Sequence, residues 1–312
     1  MSFPIPVAVC TLVPTMTGLV VNAFITLVNI RNYLREQGLK PCDKILMALC
    51  LTRFLLQWTF LLDIIGILLQ LIPFSTFAIY CIFYVVEQFL DYFSRWLAMW
   101  LSILYYVNIT IFKNVLVLYL KSRIPHVTSY MIFVSAFLSF GPGLIYSLTS
   151  SEVSCLRVSN QSLSKNATYE TKEFLSISFV FGQCLPSVIE MVSSIYLLWT
   201  LFAHVNYTKA NVSSFTAPNM DAHWSAIRCI LLLYFMSACN FIGNLILYFF
   251  SNDSFGSSLS YIITFAYPTL HSVVFVLNHS KLKKELAKIL YCEKSVVGFR
   301  AETVVRSSLG QA

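Results

Sequence analysis

The stretch VAVCTLVPTMTGLVVNAFITLVNI, from Val7 to Ile30, decides the fold of this chain. It carries no charged residue, and it exceeds the roughly 20 apolar residues with which an α-helix crosses a bilayer. Because lipid offers a backbone amide no partner, a helix that satisfies its own backbone groups is the expected structure. The residues before Val7 lack the basic start of a secretory signal, so we expect this stretch to remain as a first membrane span.

Apolar runs with few charges continue along the whole chain of 312 residues. The sequence is 57% hydrophobic and 11% charged, whereas about 25% of the residues of a soluble domain are charged. The further runs are Ile45 to Ile72, Phe83 to about Tyr119, Val127 to Leu148, Phe174 to Phe202, Ile230 to Phe250 and Leu259 to Leu277. We therefore predict an all-α fold, a bundle of seven transmembrane helices in one domain over residues 1–312, with a cytoplasmic tail over 279–312.

The net charge of +7 is a topology signal here and does not predict a nucleic-acid partner, because the basic residues are concentrated in alternate loops. Loops one, three and five and the tail contain Arg31, Arg35, Lys40, Lys44, Lys121, Arg123, Lys209, Arg228, Lys281, Lys283, Lys284, Lys288 and Lys294. Short loops rich in lysine and arginine stay in the cytoplasm. We expect a multi-pass protein of the plasma membrane, with its N-terminus outside and its C-terminus inside.

The start of the tail has the pattern of an amphipathic helix. Leu282, Leu286, Ile289 and Leu290 fall on one helical face, and lysines surround that face. Such a helix lies in the membrane interface. Cys292 at its end is a candidate for palmitoylation.

Two glycosylation sequons support the predicted topology. Asn160 and Asn166 begin Asn-x-Ser/Thr motifs in the loop after span four, which the charge distribution places outside, where glycans are added. Cys81 and Cys155 also fall on the outer side, where a disulfide would persist. Their spacing leaves the pairing open.

Polar residues inside the predicted spans are candidates for function, since they are costly in lipid. Asn22 in span one and Arg53 in span two can lie at similar depth, and Ser272 in span seven could join them. Such a network could switch between resting and active states, or could be a static hydrogen bond. The sequence leaves these two interpretations open.

Span three carries two stripes whose members recur every four residues. Glu87, Asp91 and Arg95 form a charged stripe near the outer end, in which Arg95 can pair with Asp91. Tyr92, Trp96 and Trp100 form an aromatic stripe beside it. Each stripe could meet a ligand, or could anchor and pack the helix.

Span five contains Pro186, which removes one backbone hydrogen bond and is expected to distort the helix. The distortion would open space into which Gln183 and Glu190 project. Glu190 would then be either an acid of the pocket or a buried carboxyl held neutral.

An enzyme is not expected. The five histidines are scattered over helices and loops, and neither a HExxH motif nor a pair of catalytic carboxylates is present, so we predict no catalytic residue, no metal ligand and no cofactor. A transporter or channel that uses Arg53, Asp63 and Glu190 is an alternative from another class.

Several motifs resemble those of the type 2 (bitter) taste receptors, a family of G-protein-coupled receptors, from span one to the start of the tail. The most specific are His223-xx-Ala226 at the start of span six and Asn278-His-Ser-Lys281-Leu-Lys283 after span seven. The others are Gly18-xxx-Asn22, the segment from Ala48 to Trp58, Leu185-Pro186-Ser187, and Tyr267-Pro268-xx-His271-Ser272. A related vomeronasal-type chemosensor is the second candidate, which the His271-Ser272 signature disfavours.

The resemblance implies a chemosensory receptor in the lipid bilayer that binds small, largely apolar bitter molecules in an outer-half pocket and activates a heterotrimeric, gustducin-like G protein. It leaves a homo-oligomer open. Trp96 matches a pocket tryptophan of the family, and Trp100 stands where a smaller polar residue is usual. Asn240 stands where relatives often have an aromatic residue, and Tyr261 stands where many carry an acid. A cationic ligand would therefore need its counter-charge from Glu190 or Asp91, and we expect neutral ligands instead.

The residue patterns described above and the family motifs together give further predicted roles. Tyr92, Gln183 and Glu190 are added to the predicted ligand-binding residues. Asn22, Arg53, Pro186, His271 and Ser272 are expected to act in structure or activation. The family generally lacks a bridge between span three and the loop after span four, so we expect Cys81 and Cys155 to remain unpaired.

Overall fold

The computed structural model describes residues 5–36, 40–69, 77–110, 115–158, 173–174, 176–211, 220–250, 254–279 and 281–288. These residues form helices and no strand, which confirms the all-α prediction. The helices are α1 (Ile5–Glu36), α2 (Pro41–Leu68), α3 (Phe77–Ile109), α4 (Val115–Val158), α5 (Leu185–Asn211), α6 (Met220–Phe249), α7 (Ser254–Asn278) and α8 (281–288).

Within the described ranges, six helices are long and apolar enough to cross a membrane. Their spanning segments are Ile5–Arg35, Pro41–Gly66, Arg123–Pro142, Ser176–Tyr207, Trp224–Phe249 and Phe255–Asn278. The remaining long helix, α3, carries Glu87, Asp91 and Arg95, but α2, α4 and α5 pack around it. Charged side chains are tolerated at membrane depth where they face protein and not lipid. The predicted bundle of seven transmembrane helices in a multi-pass membrane protein is therefore confirmed.

The helices α1, α2, α3, α5, α6 and α7 form a closed ring, in which each helix packs against the next and α7 returns to α1. Helix α4 lies outside this ring against α3. One apolar cluster lies at the end where α1 ends and α2 begins, and it includes Ile25, Leu49 and Leu282. A second cluster, with Leu56, Phe60 and Phe265, lies toward the opposite end. The ring therefore has a packed core at both ends.

The predicted end of span three was wrong. Helix α3 ends at Ile109, and Tyr119 belongs to α4. The apolar run continues across the break, so composition did not mark it. Next to the break the Lys121 ammonium donates a 3.1 Å hydrogen bond to the backbone carbonyl of Asn108, since the last carbonyls of a helix have no partner within the helix.

A π-helical turn, Val180–Cys184, precedes α5. The Leu185 N–H bonds to the carbonyl of Val180, five residues earlier, and Pro186 has no N–H to donate. Gly182 in this turn lies against α3, where an added Cβ would be 2.6 Å from the Tyr92 ring. The irregularity predicted beside Pro186 is thus a wider turn that brings the chain close to α3.

The short helix α8 has the predicted amphipathic pattern in its described part. Leu282 is buried, and Leu286 packs against the same cluster, while Lys283 and Lys284 are exposed. Ile289, Leu290 and Cys292 follow the last described residue. Burial of the leucines fixes α8 against the end of the bundle.

Candidate functional site

A cavity of about 430 Å³ opens at the end of the bundle where α3 and α7 begin and α2 and α6 end. Its walls come from these four helices and from the segment that leads into α5. Much of the wall is aromatic: Phe60, Phe179, Tyr248, Tyr261 and Phe265. Phe60 stacks on Phe265 with ring centroids 4.1 Å apart, and Phe179 stacks on Tyr248 at 4.3 Å. The cavity therefore offers flat apolar surfaces on two sides.

The α3 side of the cavity is acidic. Glu87 and Asp91 line it, and both Asp91 oxygens accept hydrogen bonds from Arg95, at 3.1 and 3.2 Å. Glu87 shares a hydrogen bond with Asp63 on α2. The predicted pairing of Arg95 with Asp91 is present. The charged stripe thus combines a neutralised ion pair with a pair of carboxyl groups.

Polar donors also line the cavity. Gln183, in the π-helical turn, lines the cavity and is 2% exposed. Its Nε2 has no hydrogen-bond partner among the described residues, and neither has the hydroxyl of Thr264 on α7. Buried donors without partners are uncommon in folded proteins. These two groups are available to a molecule in the cavity.

Three of the predicted ligand-binding residues line this cavity, namely Tyr92, Gln183 and Tyr261. Trp96 lies one turn deeper and is 6% exposed. The indole N–H of Trp100 donates a 2.9 Å hydrogen bond to Ser135 on α4. Each step of four residues turns a helix by about 40°, so the stripe leaves the cavity and reaches α4. Neither tryptophan lines this cavity.

The other two predicted ligand residues lie deeper. Glu190 lines a second cavity of about 50 Å³, together with Ser102 and His271. Asn240 is buried, and both its backbone and side-chain carbonyls accept hydrogen bonds from Asn244, at 2.7 and 3.3 Å. Asn244 itself lines the larger cavity. The structure thus divides the seven predicted residues between two levels of the bundle.

A hydrogen-bond network joins α1, α2 and α7. The side-chain amide of Asn22 donates a 3.0 Å hydrogen bond to the side-chain carbonyl of Gln57, and its Oδ1 accepts a 2.7 Å hydrogen bond from the Ser272 hydroxyl. Gln57 donates to Thr269 at 2.8 Å. The predicted link between Asn22 and Ser272 is present, but the partner on α2 is Gln57, which lies one turn from Arg53. The sequence did contain a signal for this partner. Gln57 follows Arg53 by four residues, which places both side chains on the same face of α2.

Gly18 makes room for this network. A Cβ at this position would overlap the side chains of Gln57 and Thr269. The carbonyl of Gly18 also accepts a 3.0 Å hydrogen bond from Asn22. The family-like Gly18-xxx-Asn22 spacing therefore has a steric cause, since only glycine lets α2 and α7 approach α1 here.

Arg53 belongs to a separate buried cluster. The side chain is 1% exposed, and its guanidinium carbon lies 5.3 Å from the centroid of the Tyr267 ring. Tyr267 also contacts His271 edge-on at 5.8 Å. Arg53 interacts electrostatically with Glu190. The predicted activation residues Arg53 and His271 thus lie together, between the larger cavity and the end that carries α8.

Charged groups at that end tie α8 to α1. Glu285 accepts a 2.6 Å hydrogen bond from Lys288 and lies 3.6 Å from Arg31. The Lys288 hydrogen bond lowers the pKa of Glu285. His279 stacks on Phe275, and burial lowers its pKa. These contacts fix the start of the tail, beyond the last span.

Four predicted features fall on residues whose side chains are not described. They are the sequons at Asn160 and Asn166 and the cysteines Cys81 and Cys155. Sequence reasoning did not select ten of the residues that line the cavity, namely Phe60, Tyr84, Gln88, Phe179, Asn244, Leu247, Tyr248, Ser257, Thr264 and Phe265. No sequence pattern distinguishes these residues, and only the position of each helix brings them to the cavity.

Comparisons with known proteins place this geometry in context. The sequence model of one family, described as taste receptor protein (TAS2R), matches residues 4–294. Taste receptor type 2 member 4 of Rattus norvegicus is 30% identical, over 87% of this chain and 90% of its own length. Taste receptor type 2 member 39 of Macaca mulatta is 26% identical, over 86% and 81%. Member 40 of Gallus gallus is 26% identical, over 92% and 94%.

Proposed function

This chain belongs to the family of taste receptor proteins (TAS2R), and from that membership we propose that its 430 Å³ cavity is the site where bitter molecules bind. The chain is a chemosensory G-protein-coupled receptor in the membrane and is not an enzyme. The activity is inferred from membership of the family, and the cavity is the proposed ligand-binding site. The single observation that carries the proposal is the convergence of four helices and the π-helical turn on one open cavity.

The size and walls of the cavity suit a small organic molecule. Small-molecule sites measure roughly 300 to 1,000 Å³ and combine apolar walls with a few placed polar groups. Here the aromatic walls are combined with the polar side chains of Glu87, Asp91 and Gln183. A largely apolar molecule would bury its rings against Phe60 and Tyr261 and direct its polar atoms to the other side.

A ligand in this cavity would act on helices that can move relative to one another. It would touch α3, α6, α7 and the turn that leads into α5, where Pro186 interrupts the regular bonding. Below this level lie Arg53, Glu190, Tyr267 and His271. A ligand that binds one arrangement of this cluster more tightly shifts the receptor toward it. We assign the coupling between ligand and G protein to this buried cluster.

We orient the cavity toward the outside of the cell and α8 toward the cytoplasm. The exposed lysines of α8 and Arg31 support this orientation through the positive-inside rule. A heterotrimeric, gustducin-like G protein is the proposed partner at the inner end. A homo-oligomer would be formed through lipid-facing side chains, and chemical cross-linking in native membranes would measure it.

The test is a functional screen of the full chain at the cell surface. Cells expressing the chain with a gustducin-like Gα should release calcium in response to members of a broad panel of bitter compounds. Thr264→Trp fills the cavity and should raise the half-maximal concentration of agonists by about tenfold, which corresponds to about 1.4 kcal/mol. Leu259→Trp, on an exposed face of the same helix, is the control and should leave the response unchanged.

Two results would contradict the proposal. One is silence toward the whole panel at normal surface expression. The other is equal loss of response in the Thr264→Trp and Leu259→Trp variants, because the bulk of the new side chain would then act through the fold and not through the cavity.

A further inference from the structure

Three basic side chains surround one acid where the end of α1 meets α8. Arg31 and Arg35 lie near the end of α1, and Lys288 lies on α8. All three act electrostatically on Glu285. Lys288 donates a 2.6 Å hydrogen bond to one oxygen of Glu285, and Arg31 Nη1 lies 3.6 Å from the other. One carboxylate balances one of the three cations, so this group of four residues, the α1–α8 corner, keeps two excess positive charges.

The cations of the corner are accessible from outside the protein. The side chain of Arg31 is 75% exposed and that of Lys288 is 71% exposed. The 3.6 Å separation of Arg31 from Glu285 is longer than a hydrogen bond, and exposed ion pairs contribute little to stability. Burial of Leu282 and Leu286 already fixes α8 against the bundle. The corner therefore has more positive charge than is needed to hold α8 in place.

An exposed apolar stripe on α1 leads to this corner. Leu27, Ile30 and Leu34 are 66%, 42% and 73% exposed, and Arg31 follows Leu27 by four residues and precedes Leu34 by three, so it lies on the same helix face. In a bilayer the leucines of this face meet acyl chains. An arginine near the end of a span places its charge at the level of the headgroups. The stripe and the corner thus match the two parts of a lipid molecule.

We propose that the α1–α8 corner binds a phospholipid of the cytoplasmic leaflet whose headgroup carries several phosphate groups, with the phosphates at Arg31, Arg35 and Lys288 and an acyl chain along Leu27 and Leu34. Planar guanidinium groups bind phosphate oxygens through paired hydrogen bonds. A headgroup with several phosphates neutralises both excess charges of the corner, whereas a headgroup with one net charge does not. The proposal goes beyond the function proposed for the cavity and shares with it only the orientation of the chain.

The probe is phosphatidylinositol bisphosphate with a fluorescent label on one acyl chain, and its binding to the purified full chain is measured in neutral detergent. The wild-type protein should bind it about tenfold more tightly than phosphatidylserine labelled in the same way, because attraction to basic side chains grows with headgroup charge. Arg31→Gln with Arg35→Gln should weaken binding of the bisphosphate by about tenfold to thirtyfold, as expected for the loss of two basic side chains. Inositol trisphosphate, which lacks the acyl chains, should compete only weakly.

Glu285→Gln distinguishes a lipid site from a simple attachment of α8. Loss of the acid frees Arg31 and Lys288 and adds one positive charge, so binding should become about fivefold tighter. If the corner only held α8, Arg31→Gln and Glu285→Gln would change binding in the same direction, since both break the same ion pair. Arg123→Gln with Arg228→Gln is the control, because it removes two exposed cations at the same end of the bundle, and it should leave binding unchanged. Melting curves without lipid report the folding of each variant.

Five outcomes would overturn the inference. Three concern the lipid itself: equal binding of the bisphosphate and phosphatidylserine, equal losses in the corner and control variants, and weaker binding in Glu285→Gln. Full competition by inositol trisphosphate would indicate a site for soluble phosphates. Loss of the calcium response in Arg31→Gln with Arg35→Gln, at unchanged lipid binding, would assign the corner to the G protein.

The binding assay needs neither an agonist nor a G protein, so it separates this inference from the function proposed for the cavity. Lipid binding without any calcium response would leave this inference intact and contradict the signalling function. Calcium responses with no lipid preference would do the reverse.

Discussion

The side-chain amide of Asn22 on α1 donates a 3.0 Å hydrogen bond to Gln57 on α2. Through Ser272 and Thr269 the same network reaches α7. All four side chains are buried. If one of these hydrogen bonds were broken, lipid could not supply a replacement partner. The contact therefore determines how three helices are arranged in the bundle.

A double-mutant cycle should find energetic coupling between Asn22 and Gln57. Hydrogen bonds between membrane helices contribute about 0.6 to 1.7 kcal/mol, so Asn22→Ala and Gln57→Ala together should cost less than the sum of the single changes by about that amount. The measurement is thermal unfolding of the purified protein in detergent. Asn22→Ala with Arg53→Ala is the comparison cycle, and coupling of equal size in both cycles would contradict the assignment of the bond.

Gly18→Ala should strongly reduce the amount of folded receptor, because the added Cβ overlaps Gln57 and Thr269. Gly141→Ala is a matched control on α4, where an added Cβ would have no neighbour within 4 Å. This second change should be neutral or stabilise the helix by up to about 1 kcal/mol. Surface expression and thermal stability of the two variants measure the difference. Similar behaviour of both would show that steric room at Gly18 is unimportant.

Trp96 and Trp100 should respond differently to substitution. Trp96→Ala should raise the half-maximal concentration of most agonists by about tenfold, or about 1.4 kcal/mol, since Trp96 lies one turn below Tyr92 at the cavity. Trp100→Phe should instead lower thermal stability, because it removes the hydrogen bond to Ser135, and Ser135→Ala should mimic it. Dose–response curves and melting curves separate these effects. A large loss of agonist potency in Trp100→Phe at normal thermal stability would show that Trp100 belongs to the ligand site.

Pro186→Ala should alter ligand response more than stability. Alanine restores an N–H at this position and favours regular α-helical bonding in place of the π-helical turn Val180–Cys184. The turn positions Gln183 in the cavity, so agonist potency should fall, by about threefold to tenfold. Ser187→Ala, next to it on the same helix, serves as the control. Unchanged dose–response curves for Pro186→Ala would mean that the turn persists without proline.

The loop after span four, which we propose lies outside the cell, should carry N-glycans on Asn160, Asn166 or both. Glycosidase treatment of the wild-type receptor should increase its gel mobility, and the double variant Asn160→Gln with Asn166→Gln should abolish that shift. The cells must glycosylate a second membrane protein in the same experiment. A wild-type receptor that does not shift there would argue against the proposed orientation.

The sequence was sufficient to predict the helical architecture, because hydropathy depends only on the composition of each single segment. The charge-free run from Val7 to Ile30 lies within α1, and Pro186 marked the irregular start of α5. The end of α3 was misplaced, because the apolar run extends past Ile109 and only the contact between Lys121 and the Asn108 carbonyl identifies the terminus.

The contacts between helices were decided by the tertiary structure. Arg53 and Gln57 lie one turn apart on α2, about 6 Å along its axis, so either could have met Asn22 as far as sequence spacing is concerned. Likewise, the stripe of Tyr92, Trp96 and Trp100 turns by about 40° at each step, and the last member faces α4. Helical periodicity fixes the angles between side chains of one helix, but the rotation and depth of each helix follow from packing against all its neighbours, which no single segment encodes.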